Sequence, residues 1–307
     1  MKGKILVIGP SNTDMIIKLE RLPTPGETII GGDFATAGGG KGANQAVQCA
    51  RLGADVILLA RIGKDPFGDR SVEQFKREGI DTSFIIRDEE HHSGIALIFV
   101  DKRGENMIAV APGSNSFLCG DDVLRAREAF KLSSTLLLQL EIPLEPVEVA
   151  VSLAKEEGTT VILNPAPAQP LPQSVLSNVD ILVPNETEAK ILCGYQPDEG
   201  ISTEKLGELL LEKGVKRVII TLGSKGAIYM DEAERFAVEA FKVQSVDTTA
   251  AGDSFCGALA VALAEGKGMR EAIRFASACA AISTTRLGAQ PSLPYREEVE
   301  DFLSNYG

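Results

Sequence analysis

The stretch Asp247-Thr248-Thr249-Ala250-Ala251-Gly252-Asp253-Ser254-Phe255 is a run of small side chains opening an apolar, helix-like segment with a carboxylate in its first turn. Ala250, Ala251 and Gly252 carry so little side chain that a ligand can approach their backbone N–H groups closely. The first N–H groups of a helix lack intrahelical partners, and together with the helix dipole they form a site for an anion. An acid placed where an anion is to sit must do a different job from the backbone around it. One reading is that the N–H groups hold a transferring phosphoryl group while Asp253 takes the proton of the attacking hydroxyl. The other is that Asp253 simply caps its helix.

Four further groups of residues carry chemistry. Asn12 and Asp14 are two apart, so on extended chain they point the same way and offer donors and acceptors to adjacent hydroxyls of a polyol. An Asx turn is the plainer alternative. Gly38-Gly39-Gly40-Lys41-Gly42-Ala43-Asn44-Gln45-Ala46 is not a Walker A loop, because Gly42 stands where that motif needs Ser or Thr after the lysine. Its glycines still permit close backbone approach, or merely a turn, and Lys41 and Asn44 share one helical face. Glu141 follows an apolar run. Asn185-x-x-Glu188 has the form of a capping box and equally of a polar pair at a helix entrance. The only histidines are the neighbours His91 and His92, which excludes a multi-histidine metal centre or a distributed histidine triad and suggests a polar turn.

The elements that must position these residues alternate strand and helix. Strands are expected at 4–8, 56–61, 83–86, 135–140, 160–163, 180–183 and 216–221, with Asn12 and Asp14 on the loop after the first. Helices are expected from the glycine-rich turn to near Gly53, and at 67–77, 143–157, 252–264, 269–285 and 295–303. Repeated βα units imply an α/β fold, a mainly parallel sheet covered by helices on both faces. Ligands bind such sheets beyond the carboxyl ends of the strands. Asn12, Asp14, Glu141, Asn185, Glu188, Gly223 and Asp253 all follow expected strands or open the helices after them. A hairpin breaks the rhythm: 94–100, a turn at Asp101-Lys102-Arg103-Gly104, and a return over 105–111. With strand-like 28–37 it would form a small sheet standing off the body, whose apolar face must be covered by substrate closure, a partner subunit, or both.

The 307 residues would make one large α/β domain or two smaller ones. A net charge of −12 argues against nucleic acid and against an anionic membrane surface. The apolar start is too short for a signal peptide, and nothing approaches a membrane span. Cys49, Cys119, Cys193, Cys256 and Cys279 have no CxxC spacing and suit buried thiols of a cytoplasmic chain.

Taken together, Asn12-Thr13-Asp14, the segment 38–46, Asn185-Glu186-Thr187-Glu188 and the segment 247–253 resemble the ribokinase family of PfkB-type sugar kinases, in matching order from about 5 to 298. The resemblance implies a single ribokinase-like domain over 1–307, with lid strands from about 13–37 and 92–111 that also form a homodimer interface. It implies ATP-dependent phosphorylation of D-ribose at the 5-hydroxyl, with Mg²⁺ and activation by a monovalent cation such as K⁺. Carried over by position, Asn12, Asp14, Gly40, Lys41, Asn44 and Glu141 would hold the sugar. Asp253 would be the catalytic base, and Ala250, Ala251 and Gly252 the anion hole. Asn185, Glu188, Thr221, Gly223, Ser224, Gly226 and Gly252 would serve ATP, with Glu188 acting indirectly on its magnesium. Ser277 falls where family members place a nucleotide-contacting residue that is often histidine. Asp247, Thr249, Ser283, Arg286, Gly288 and Ser292 would surround the monovalent cation, several through backbone carbonyls. Other readings are a kinase for 2-deoxyribose, another pentose or a nucleoside, and a catalytically silent sugar-binding regulator. A nicotinamide oxidoreductase lacks its GxGxxG, since Gly9-Pro10-Ser11 follows the first strand.

Overall fold

The computed structural model describes residues 3–103 and 105–306. Met1, Lys2 and Gly307 of the expected domain, and Gly104 at the expected hairpin tip, lie outside the described residues. Six strands run parallel: β1 (Lys4–Ile8), β4 (Val56–Leu59), β9 (Ser133–Leu138), β10 (Thr160–Leu163), β11 (Ile181–Leu182) and β12 (Val218–Thr221). Two more, β13 (Ala227–Met230) and β14 (Arg235–Val238), close one edge antiparallel. Across the sheet the order is β14-β13-β12-β11-β10-β9-β1-β4.

Side chains alternate along a strand, and here both faces are covered. Ile5 and Val7 of β1 enter one core while Leu6 and Ile8 enter the other, which is why this strand is apolar at successive positions. The first core is covered by α1 (Lys41–Arg51), α2 (Pro66–Arg77), α9 (Ala251–Ala264), α10 (Met269–Thr284) and α11 (Arg296–Asn305). The second is covered by α3 (Gly120–Arg125), α4 (Arg127–Leu132), α5 (Leu144–Glu157), α6 (Gln173–Leu176), α7 (Glu186–Cys193) and α8 (Thr203–Glu212). Helix α9 has every residue from Asp253 to Ala262 buried, packed between α1 and α10. Truncating a side chain such as Leu259 there, at 0% exposure, costs about 2–5 kcal/mol.

The chain departs from the sequence-based expectation in several places. Asn12 and Asp14 do not lie on a loop but begin β2 (Asn12–Leu19). The strand expected over 28–37 is shortened to β3 (Asp33–Gly39), because Gly31 and Gly32 take φ of 122° and 103° and break the extended path. The strand expected over 56–61 ends at Leu59, and a separate β5 (Arg61–Gly63) pairs with β6 (Ile86–Asp88), which starts later than expected. The stand-off sheet forms in the order β3-β2-β7-β8, with β7 (Gly94–Asp101) and β8 (Asn106–Ala111) as the expected hairpin. Strands β2 and β7 pair in parallel, so the sheet is mixed. Phe34, Leu97, Met107, Ile108 and Val110 of this sheet are exposed.

Strand β1 lies between β4 and β9. The chain leaves β1 for β4 by way of α1 on one face, and leaves β9 for β10 by way of α5 on the other. The loops beyond β1 and β9 therefore diverge, and such a switch of direction opens a crevice at the carboxyl edge. Asn12 and Glu141 stand at its two sides.

Candidate active site

Helix α9 starts at Ala251, after Ala250 in a left-handed conformation with φ of 60°. A non-glycine residue there costs about 1–2 kcal/mol. No side chain caps the helix; Ala251 N–H donates to the Thr248 carbonyl at 3.2 Å, and the N–H groups that follow it have no capping side chain. Asp253 is at the third helical position and points its carboxylate elsewhere. Its Oδ2 accepts from Asn44 Nδ2 at 2.8 Å and its Oδ1 from Gln45 Nε2 at 3.0 Å. The helix-cap alternative is thereby set aside. Ala250, Gly252 and Asp253 line a cavity of about 210 Å³ that they share with Lys41, Asn185 and Glu188.

Asn44 and Gln45 reach Asp253 because α1 presses closely on α9. A Cβ on Gly257 would meet Gln48 Cβ at 2.8 Å and Gln45 O at 2.9 Å, so only glycine allows this approach. Ser254 Oγ donates to Gln48 Oε1 at 2.8 Å along the same seam. The glycine-rich turn before α1 works in a similar way. A Cβ on Gly39 would stand 2.3 Å from Asp14 Oδ1, and one on Gly42 would stand 2.6 Å from the Gly9 carbonyl carbon. These two glycines admit the chain's own strand ends to the crevice, where the sequence suggested room for a ligand's approach.

Three carboxylates and one lysine share this region. Burial, then the charges of Glu141 and Asp253, push the Asp14 carboxyl up to about 7. Burial also raises Glu141, against the pull of Lys41. Burial opposes the Lys41 ammonium, but the charges of Asp253, Glu141 and Glu188 outweigh it and raise its pKa. Lys41 Nζ lies 3.9 Å from Glu141 Oε1, and its backbone N–H donates to Glu141 Oε2 at 3.4 Å. Asn12 Oδ1 accepts from Asn115 Nδ2 at 2.8 Å, while Asn44 Oδ1 is buried without a partner. Clustered acceptors with an orphaned amide oxygen suit a neutral ligand rich in hydroxyl donors.

On the other side of the cavity Asn185 and Glu188 form the capping box. Asn185 Oδ1 accepts from Glu188 N, and Glu188 Oε2 from Asn185 N, each at 2.8 Å. Both residues also line the cavity, so the capping bonds do not withdraw them from it. Burial raises the Glu188 carboxyl. Thr221 joins them through a bridge to Asn185, whereas Gly223 and Ser224 are exposed on the turn beyond it and Gly226 is buried behind them. Ser277 is buried within α10 and does not line the cavity.

The remaining group sits on the Asp247 loop, the last turn of α10 and the segment that follows it. Asp247 Oδ1 accepts from Thr249 N at 2.9 Å and Oγ1 at 2.7 Å, and Oδ2 accepts from Gly288 N at 2.8 Å. Burial would raise the Asp247 carboxyl, but these bonds prevail and lower it. The hydroxyls of Ser283 and Ser292 bond the carbonyls of Ala280 and Ala289, and Arg286 pairs with Glu298. That leaves the loop carbonyls and the Asp247 anion as the oxygen donors a large monovalent cation would meet. Among the described residues no three His, Cys, Asp or Glu side chains cluster to hold a metal. Glu188 at the cavity wall still fits Mg²⁺, which is commonly held through one or two carboxylates, substrate phosphates and water.

Sequence reasoning did not assign roles to Gln45, Asn115, Gln139 and Asn164. Gln45 stood within the glycine-rich segment and Asn164 at a strand end, so both had a positional signal. Nothing local marked Asn115 or Gln139.

The profile of the "pfkB family carbohydrate kinase" group matches residues 2–296. A ribokinase of Haemophilus influenzae is 44% identical over 99% of this chain and 100% of its own length. A deoxyribokinase of Salmonella typhimurium is 38% identical over 98% of each chain. The structure of Arabidopsis thaliana ribokinase complexed with ribose and ATP superposes with a TM-score of 0.89, at 33% identity over 99% of each chain. An uncapped helix start beside a carboxylate, a hydroxyl-seeking cluster across the crevice, and these full-length likenesses lead to one conclusion: the chain belongs to the pfkB family of carbohydrate kinases.

Proposed function

We propose that this chain transfers the γ-phosphoryl group of ATP to the 5-hydroxyl of D-ribose. The observation that carries the reading is the place of Asp253, between the Asn12–Asp14–Lys41–Glu141 cluster and the open N-terminus of α9. The likeness to a ribokinase complexed with ribose and ATP supports the same pair of substrates. Asn12, Asp14, Gly40, Lys41, Asn44 and Glu141 hold the sugar. Asn185, Glu188, Thr221 and the 223–226 turn face the nucleotide.

Phosphoryl transfer asks the protein mainly for positioning and charge stabilisation. The N–H groups of Ala250, Ala251 and Gly252 receive the transferring group, and Asp253 accepts the proton of the attacking hydroxyl. A carboxylate is a weak base for an alkanol, so the proton moves late, once bonding to phosphorus has made the hydroxyl acidic. Bound Mg²⁺ would neutralise phosphate charge near Glu188. A monovalent cation such as K⁺ would brace the Asp247 loop that leads into the anion hole.

The lid closes over the sugar and excludes water, which suppresses ATP hydrolysis. Its exposed residues Ile108 and Val110, on the same face of the sheet as Asp14, pair two copies of the chain into a homodimer. Among the described residues no helix is long and apolar enough to cross a membrane, and we place the protein in the cytoplasm as a single-domain enzyme.

The test is ADP release over a panel of ribose, 2-deoxyribose, other pentoses and nucleosides, with and without K⁺. Ribose should give the highest kcat/KM. Asp253→Asn should lower kcat by about 10²–10⁴-fold while ribose binding by calorimetry survives. A preference for 2-deoxyribose assigns the chain to the deoxyribokinase-like alternative. Tight ribose binding with no ADP formed points to a silent regulator.

A further inference from the structure

Beneath Asp253 lies a chain of amide side chains that neither the sugar role nor the nucleotide role uses. It begins at a main-chain carbonyl. Val183 O can only accept, so Asn164 must give it Nδ2, at 3.0 Å, which turns Asn164 Oδ1 toward Gln45. Gln45 must then answer with Nε2, whose two hydrogens go to Asn164 Oδ1 at 3.2 Å and Asp253 Oδ1 at 3.0 Å. That leaves Gln45 Oε1 to accept from Gln139 Nε2, at 2.6 Å. Each amide orientation is thus dictated by the one before it.

Gln45 and Gln139 are both 0% exposed, so water does not compete for these bonds. A flipped Gln45 would set its oxygen against the Asp253 carboxylate and Asn164 Oδ1, turning two attractions into repulsions in a low-dielectric interior. Gln139 also leaves its own Oε1 buried without a partner. Such an orphan costs about 1–3 kcal/mol, which an apolar side chain would avoid. Gly9 makes the space for it, since a Cβ there would meet Gln139 Oε1. A glutamine kept at that cost points to a use for its donor.

We propose that Gln45, locked by Gln139 and Asn164, is a positioning residue that fixes the direction of the Asp253 carboxylate for proton transfer. With Asn44 holding Oδ2, Gln45 on Oδ1 removes the remaining freedom of rotation about the base's last torsion. The proposal rests on the kinase reading above.

The test is steady-state kinetics of the full-length enzyme carrying Gln45→Met, Gln139→Leu, or both. Misplacing a reacting group by about 1 Å costs about 10²-fold. Gln45→Met should therefore lower kcat about 100-fold and Gln139→Leu about tenfold, with KM for ribose and ATP within about threefold. The double variant should be no slower than Gln45→Met alone, because both act through one contact. Thermal midpoints should stay within about 5 °C of wild type, which separates positioning from folding. Wild-type kcat in folded Gln45→Met, a loss confined to KM, or effects that multiply in the double variant overturns the proposal. A wild type inactive with every sugar in the panel refutes the kinase reading and this proposal with it. An active wild type beside an equally active Gln45→Met refutes this proposal alone.

Discussion

Asp14 gives the most quantitative prediction, because its carboxyl is held at about 7 against an ordinary value of 3.8. A carboxyl raised in the folded state binds more protons there than in the unfolded chain throughout that window. Stability must therefore fall as pH rises from about 4 to about 7 and level off above. At about 1.4 kcal/mol per pH unit, the full interval corresponds to about 4 kcal/mol of destabilisation of the ligand-free protein. Most of it, about 2.5 kcal/mol, falls between pH 5 and pH 8. Asp14→Asn removes this titration while keeping the shape of the side chain. Urea unfolding of wild type and variant at pH 5 and pH 8 isolates the effect, since any defect of fit is common to both. The variant's stability relative to wild type should improve by about 2.5 kcal/mol on going from pH 5 to pH 8. An equal difference at the two pH values would refute the argument that burial and the neighbouring Glu141 and Asp253 charges act on Asp14. The same variant should bind ribose more weakly, because the strain is retained for a ligand whose hydroxyls satisfy the carboxylate.

Other perturbations separate the parts of the site. Gly257→Ala puts a methyl within 2.8–2.9 Å of α1 and should push Asn44 and Gln45 off Asp253, lowering kcat about tenfold or more, measured beside circular dichroism to verify folding. Glu188→Gln keeps an acceptor for Asn185 N, so stability should change by less than about 1 kcal/mol. The Mg²⁺ concentration for half-maximal activity should nevertheless rise about tenfold; an unchanged requirement removes Glu188 from the metal's surroundings. Ile108→Asp lies on a half-exposed position of β8 and should fold normally but sediment as a monomer; a retained dimer would show that the lid face is not the interface.

The βα rhythm, the two-sided core and the lid hairpin were legible in the sequence because strand period, apolar runs and glycine turns are local physical signals. The capping box at Asn185 and Glu188 was legible for the same reason, and so was the likeness of the short motifs to sugar kinases. Spacing alone left Asp253 divided between cap and base. The cap was set aside by α1, which Gly257 lets close enough for Asn44 and Gln45, some two hundred residues earlier in the chain, to take both carboxylate oxygens. Asn12 and Asp14 turned from loop to strand because β7, far along the chain, pairs with them in parallel. Such contacts are set by which elements the sheet order brings together, not by neighbours in sequence. Gln139 is the extreme case: it follows β9 with no partner near it in sequence, and only the tertiary fold places its amide behind Gln45, which holds Asp253 Oδ1.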